Sequence, residues 1–146
     1  MSRLAQLSTL VLVLSAAGCA TDPGAGSARQ HLPVATNPNF TLYVSNQSFD
    51  REVVDINVQI DGQLAVTGDF DVEGQHSWHE FKFELAPGDH VLTATTDDVP
   101  GVTLELPFNL ATPKYAVTNF WYAADPAADQ PAQLDGFITS EPPTFQ

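Results

Sequence analysis

From Phe40 onward the chain alternates apolar and polar residues with a period of two, and that alternation restricts it to strands. Thr41 and Tyr43 separate Phe40, Leu42 and Val44, while Asp55, Asn57 and Gln59 separate Val54, Ile56, Val58 and Ile60. Successive side chains of a strand point to opposite faces, so each run predicts a strand with one buried face. Phe81, Phe83 and Leu85 repeat the pattern, as do Val102, Leu104, Leu106 and Phe108. Tyr115 to Tyr122 closes the main series, and Phe137-Ile138 predicts a final strand after a loop over Ala123 to Gln133. No segment of useful length carries the 3.6-residue period of a helix.

Turn chemistry divides these runs. Asp61-Gly62 stands between Ile60 and Leu64-Ala65-Val66, and a two-residue hairpin turn favours this pair because both positions take positive φ. Ala86-Pro87-Gly88-Asp89 predicts a second hairpin, from Phe81–Leu85 into His90–Thr95. Pro107 has no N–H for a ladder hydrogen bond and places its strand at a sheet edge. Short strands with turns every 8–12 residues or so predict an all-β fold, an immunoglobulin-like antiparallel β-sandwich of seven or eight short strands.

The N-terminus carries a different message. Met1-Ser2-Arg3 is a short positive segment, Leu4 to Ala17 is uncharged and mostly apolar, and Ala16, Ala17 and Gly18 are small. The run falls short of the roughly 20 apolar residues of a membrane span and fits a secretory signal peptide over 1–18. Leu14-Ser15-Ala16-Ala17-Gly18-Cys19 resembles the lipobox of bacterial lipoproteins, with Ala16 where Leu is usual. That resemblance implies lipidation of the Cys19 thiol, cleavage before it and acylation, commonly with palmitate, of the new amine. An exported chain with one cysteine forms no internal disulfide, and lipidation removes a thiol that an oxidising compartment would attack.

The expected organisation is therefore a lipidated Cys19 with a Pro/Gly-rich flexible tether over 19–38, a sandwich domain over 39–140 and a Pro-rich tail over 141–146. Ala20 is not the Asp that retains lipoproteins at the inner membrane of enteric bacteria. By resemblance to that sorting rule the anchor is expected in the outer membrane if the source has one, otherwise on the outer face of the plasma membrane.

Charge narrows the partners. All eighteen acidic residues follow Cys19, with only Arg29, Arg51, Lys82 and Lys114 to balance them. Such a surface repels phosphate backbones, which argues against nucleic acid, and favours cationic partners, divalent metals or plain solubility.

Three constellations carry candidate chemistry. Asp69, Asp71 and Glu73, followed by Gly74 and Glu80, match the spacing of a calcium loop, whose first, third, fifth and twelfth positions offer hard oxygens around a glycine bend. The flanking runs are strands rather than the paired helices of an EF-hand, and the alternative is a solvated acidic loop. His76 and His79 point to opposite faces if both lie on a strand, and no cysteine remains to complete a zinc shell; His31 and His90 stand alone. Trp78 and Phe120-Trp121-Tyr122 form either an aromatic platform for a sugar or peptide, or part of the core. No Gly-x-Ser-x-Gly or phosphate-cradling glycine loop occurs, and no catalytic residue is assigned.

Through Ile60-Asp61-Gly62 and Leu85-Ala86-Pro87-Gly88-Asp89-His90-Val91-Leu92 the chain resembles small immunoglobulin-like domains of bacterial surface proteins, including PEGA-type modules, over roughly residues 40 to 122. It also resembles envelope lipoproteins of the same build. The resemblance implies a fold and a location but no catalytic residues. The expectation is a monomeric, lipid-anchored binding or structural module of the cell envelope, meeting an envelope protein or glycan, not an enzyme and without a cofactor. A calcium-stabilised recognition domain and a hydrolase whose site the sequence does not reveal are the alternatives.

Overall fold

Among the described residues three pairings of consecutive strands and four between strands further apart in the chain build the sandwich. The computed structural model describes residues 28–72, 78–124 and 131–145. Among them nine strands run in chain order: β1 Arg29–Gln30, β2 Phe40–Asn46, β3 Val53–Ile60, β4 Gln63–Asp71, β5 His79–Phe83, β6 Asp89–Thr95, β7 Thr103–Asn109, β8 Lys114–Trp121 and β9 Gln133–Thr139. They form a five-stranded sheet in the order β1-β4-β3-β6-β7 and a four-stranded sheet in the order β5-β2-β8-β9. The signal segment, Cys19, Glu73 and His76 lie outside the described residues.

The β3–β4 hairpin follows from its turn. Asp61 and Gly62 have φ of 52° and 76°, the left-handed pair a two-residue turn requires, and Ile60 faces Gln63 across it. The register slips between Val58 and Gln59, which buries Ala65 and Val66 side by side and leaves the Ala65 carbonyl to accept the His31 N–H at 2.8 Å. That bond extends β1, so pairing begins at Arg29, ahead of Asn37-Pro38.

The expected alternation is realised in β3, whose Val54, Ile56 and Val58 are fully buried. They meet Phe40, Leu42 and Val44 of β2 across the sandwich in one core cluster. Phe40 stacks on Phe108 of β7 at a centroid distance of 4.7 Å, and this contact ties the two sheets together. Pro107 occupies edge strand β7, as its missing N–H demands.

Two features differ from the antiparallel pairing expected within the sandwich. The turn at Pro87-Gly88 does not close a hairpin: β5 pairs with β2 in one sheet and β6 with β3 and β7 in the other. Both edges of β6 are already taken, so β5 can pair only across the sandwich. The Asn39 side chain secures it there, donating to the Leu85 carbonyl at 2.8 Å and accepting the Leu85 N–H at 2.9 Å. The second difference is that β2 and β8 pair in parallel over their whole length, which makes β2 an interior strand. Its outer-face residues Thr41 and Ser45 are consequently 7% and 1% exposed, where a half-buried strand was expected.

Candidate functional site

The core of the four-stranded sheet takes alternate residues, and parity sends the others outward. Since Phe40, Leu42 and Val44 face in, Tyr43 faces out; since Ala116 and Phe120 face in, Val117, Asn119 and Trp121 face out. Leu134 is buried, so Asp135 and Phe137 of β9 join the same outer face. Phe137 is 49% exposed, far more than solvation of a phenyl ring favours.

Trp78 enters just before β5 and its indole reaches across β2. Nε1 donates to Asn119 Oδ1 on β8 at 2.9 Å, and Asn119 Nδ2 donates in turn to Asp135 Oδ1 on β9 at 3.2 Å. A relay of side chains over three strands therefore sets the indole plane and leaves its ring faces for contact. On the other flank the Tyr43 hydroxyl donates to Glu80 Oε2 at 3.0 Å, while Lys82 Nζ lies 2.7 Å from Glu80 Oε1. Burial, reinforced by the Glu80 hydrogen bond and charge, pushes the Tyr43 phenol up to about 12 and keeps it a donor. The bond from Lys82, opposed by burial and aided by Tyr43, holds Glu80 below the usual carboxylate range. Aromatic faces with a fixed polar rim are the composition of recognition surfaces.

Residues after β9 lie on this face. Lys114 Nζ donates to Ser140 Oγ at 2.6 Å, and the Glu141 N–H to Thr139 Oγ1 at 3.2 Å. Phe145 then stacks on Trp78 at 3.9 Å and 17°, and meets Tyr43 edge-on at 5.2 Å.

The sequence-level platform is thus divided. Trp78 serves the outer face and Trp121 shares it by parity, but Phe120 is fully buried in the core and Tyr122 packs against that core with Arg51 5.3 Å above its ring. Tyr43 and Phe145 complete the aromatic set. The alternation around Tyr43 was a usable signal, whereas nothing local tells where Phe145 lands.

The acidic set is separated as well. Asp69 and Asp71 flank buried Phe70 on β4 and face outward from the five-stranded sheet, while Glu80 faces outward from the opposite one. The structure does not bring these three together, and among the described residues no cluster of three potential ligands occurs. Other carboxylates act as acceptors that close loops. Asp55 accepts the N–H groups of Asp97 and Asp98 and the Thr96 hydroxyl at 2.8–3.1 Å; burial pushes its carboxyl up, but these bonds outweigh it and hold it low.

Away from this face, a cleft of about 500 Å³ opens at the tip of the β3–β4 hairpin between Leu32, Val34, Phe83, Leu85 and His90. His90 has acceptors at both ring nitrogens, Asp61 Oδ2 at 2.6 Å from Nδ1 and the Ala86 carbonyl at 2.7 Å from Nε2. Each bond requires the nitrogen to carry a proton, so the pair favours the imidazolium and leaves no lone pair for a general base. The bond to Asp61 raises the His90 pKa, burial opposes, and the Ala86 carbonyl and the Asp61 and Asp89 charges add to it. Burial pushes Asp61 up, yet the bonds from His90 and the Val91 N–H and the His90 charge hold it low. His79, by contrast, turns inward and meets the edge of Phe70 at 5.2 Å.

The linkage has a definite sign. His90, with its pKa raised, adds stability that is complete below about pH 6.5 and is lost as pH rises through its folded value; Asp61, with its pKa lowered, adds stability complete above about pH 4 and lost as pH falls through its own. Urea melts at pH 5.5 and 8.5 are expected to show wild type losing roughly 0.5–1 kcal/mol more than His90→Gln over that interval. The figure is small because the Asp61 side chain is 48% exposed and solvent screens the pair. Equal losses in the two proteins would show that the imidazolium is not favoured.

No protein-family model matches the chain, and neither a curated protein nor a solved structure matches it.

Proposed function

We propose that this chain is a binding module of a bacterial envelope, exported and held by lipid on Cys19, which meets its partner through the aromatic outer face of the four-stranded sheet. The observation that carries the reading is the relay Asp135–Asn119–Trp78, which fixes an indole on the outer face of the sheet that Tyr43 shares. An indole held at Nε1 loses little further freedom on binding, and rigid aromatic area contributes to binding at low entropic cost. Export is supported by the apolar run before Cys19, and anchoring by the lipobox-like residues around that single thiol. The acidic surface suits a neutral or cationic partner.

One experiment separates anchor from binding face. In a bacterial host, Cys19→Ala is expected to move the protein from the membrane fraction to the soluble fraction. Trp78→Ala should stay with the membrane yet lose about tenfold in affinity for isolated envelopes, the loss of one aromatic anchor. Val34→Asp, placed in the cleft at the hairpin tip, should bind envelopes like wild type. If Val34→Asp loses binding and Trp78→Ala does not, the cleft is the site and the outer face is not.

A further inference from the structure

The occupant of the outer face is already visible in the chain itself. Residues 141–145 are Glu-Pro-Pro-Thr-Phe, and two consecutive prolines fix φ and favour the extended polyproline II form, which has no internal hydrogen bonds and little entropy left to lose on docking. This segment leaves β9 at Ser140, crosses β8 and delivers Phe145 onto the Trp78 ring above β2. Val117, which the register places between Tyr43 and Phe137 on the outer face, is only 2% exposed.

Little holds the segment apart from its ring. Residues 142–145 make no hydrogen bond to any other described residue, and Phe145 remains 38% exposed while stacked. The receiving surface, in contrast, is prearranged: the indole by Asn119, and the Tyr43 phenol by Glu80 and Lys82. Rigid receiving side chains and a weakly held guest are what a reversible site requires. Grooves lined by aromatic residues are the usual receivers of proline-rich segments, because the preformed extended chain presents its rings without further ordering.

We propose that the surface formed by Trp78 and Tyr43 recognises extended proline-rich peptide segments bearing an aromatic ring, and that residues 141–145 cover it as a displaceable internal copy of that ligand. The proposal rests on the outer face being the binding surface and names what it binds. A tail joined by so short a connection competes at an effective concentration in the millimolar range. The wild-type chain accordingly binds such peptides weakly, and loss of Phe145 exposes the site.

The test is calorimetric titration of the full chain with a synthetic peptide of the sequence of residues 140–145. Phe145→Ala is expected to bind it about tenfold more tightly than wild type, and Phe145→Ala combined with Trp78→Ala not to bind it. Equal affinity in wild type and Phe145→Ala would overturn the tail as occupant. If Phe145→Ala binds a gluco- or chito-oligosaccharide but no peptide, the peptide assignment falls while the outer face stands. Binding of neither also overturns the assignment, and the envelope experiment above then decides the face by itself. Should Phe145→Ala melt early, displacement is read instead in wild type: excess peptide must abolish the ring-current shifts that Trp78 imposes on the Phe145 resonances, and their persistence at saturation counts against the proposal.

Discussion

Gly136→Ala is expected to lower stability by about 3 kcal/mol or more, and with it the midpoint of thermal unfolding by roughly 10 °C. A Cβ at this position of β9 would stand 2.1 Å from the Val117 carbonyl oxygen and 3.0 Å from Leu104 Cδ2. The first of these is backbone of β8, which is held between β2 on one side and β9 on the other and cannot retreat. Relief therefore has to come from β9, which must lift away from β8 or from β7, losing ladder bonds or the packing of Leu104. Gly62→Ala makes the control. It has nothing within 4 Å of its Cβ but φ of 76°, so its cost is the ordinary left-handed penalty of about 1 kcal/mol. Urea titrations of both variants check the ranking; a Gly136→Ala loss no larger than that of Gly62→Ala would mean that β9 yields to a side chain at little cost and that its close approach to β8 and β7 does not hold the sandwich.

The contrast between these glycines shows what a chain discloses locally. Asp61-Gly62 could be read as a turn because the requirement lies in two φ angles, and the alternation around Ile56 could be read as a strand because the requirement lies in the next residue but one. Gly136 gives no such sign, for the atoms that exclude a side chain belong to strands 19 and 32 residues away in sequence, near Val117 and Leu104. The same limit explains the turn at Pro87-Gly88. Its residues say that the chain reverses; which sheet receives the next strand is decided by β3 and β7 having taken both edges of β6. The parallel pairing of β2 with β8 is likewise a competition among distant edges, invisible to any local pattern.

The candidate site was legible in the same uneven way. Trp78 stood out by residue type, and alternation had already turned Tyr43 away from Phe40, Leu42 and Val44. Spacing along a chain presumes one continuous loop, and of the calcium-like set Glu73 lies outside the described residues while the other three are divided between the sheets. In this fold Asp71 ends a strand of one sheet and Glu80 sits in the other, facing the opposite exterior. His90 gained a partner for the converse reason: two turns far apart in sequence, at Asp61 and at Pro87, meet at one end of the sandwich.

Asn46 offers the second large effect, and it arises where the polar stretch Asn46-Gln47-Ser48 is buried rather than looped into solvent. The three residues are 3%, 4% and 2% exposed. Asn46 is the last residue of β2 and points inward with Val44, at the level where the apolar core gives out. Its Nδ2 donates to the Arg51 carbonyl at 3.1 Å and the Phe70 carbonyl at 3.0 Å, while its Oδ1 accepts the Ser48 N–H at 3.0 Å. One amide thus satisfies three backbone groups and joins the loop after β2 to β4. Asn46→Ala strands all three, and since each buried polar group left unpaired costs about 1–3 kcal/mol, a loss of about 3 kcal/mol is expected. Asn46→Asp refines the test. A carboxylate would keep the bond from Ser48 but face two carbonyl oxygens in a buried site, which drives its folded pKa above the unfolded value near 3.9. The sign follows: the protonated acid can donate one of the two lost bonds, so Asn46→Asp should be closest to wild type near pH 4 and fall behind as pH rises through its folded pKa. A pH-independent gap between Asn46→Asp and wild type would show that the amide is solvated and that the end of the sandwich is closed by other contacts.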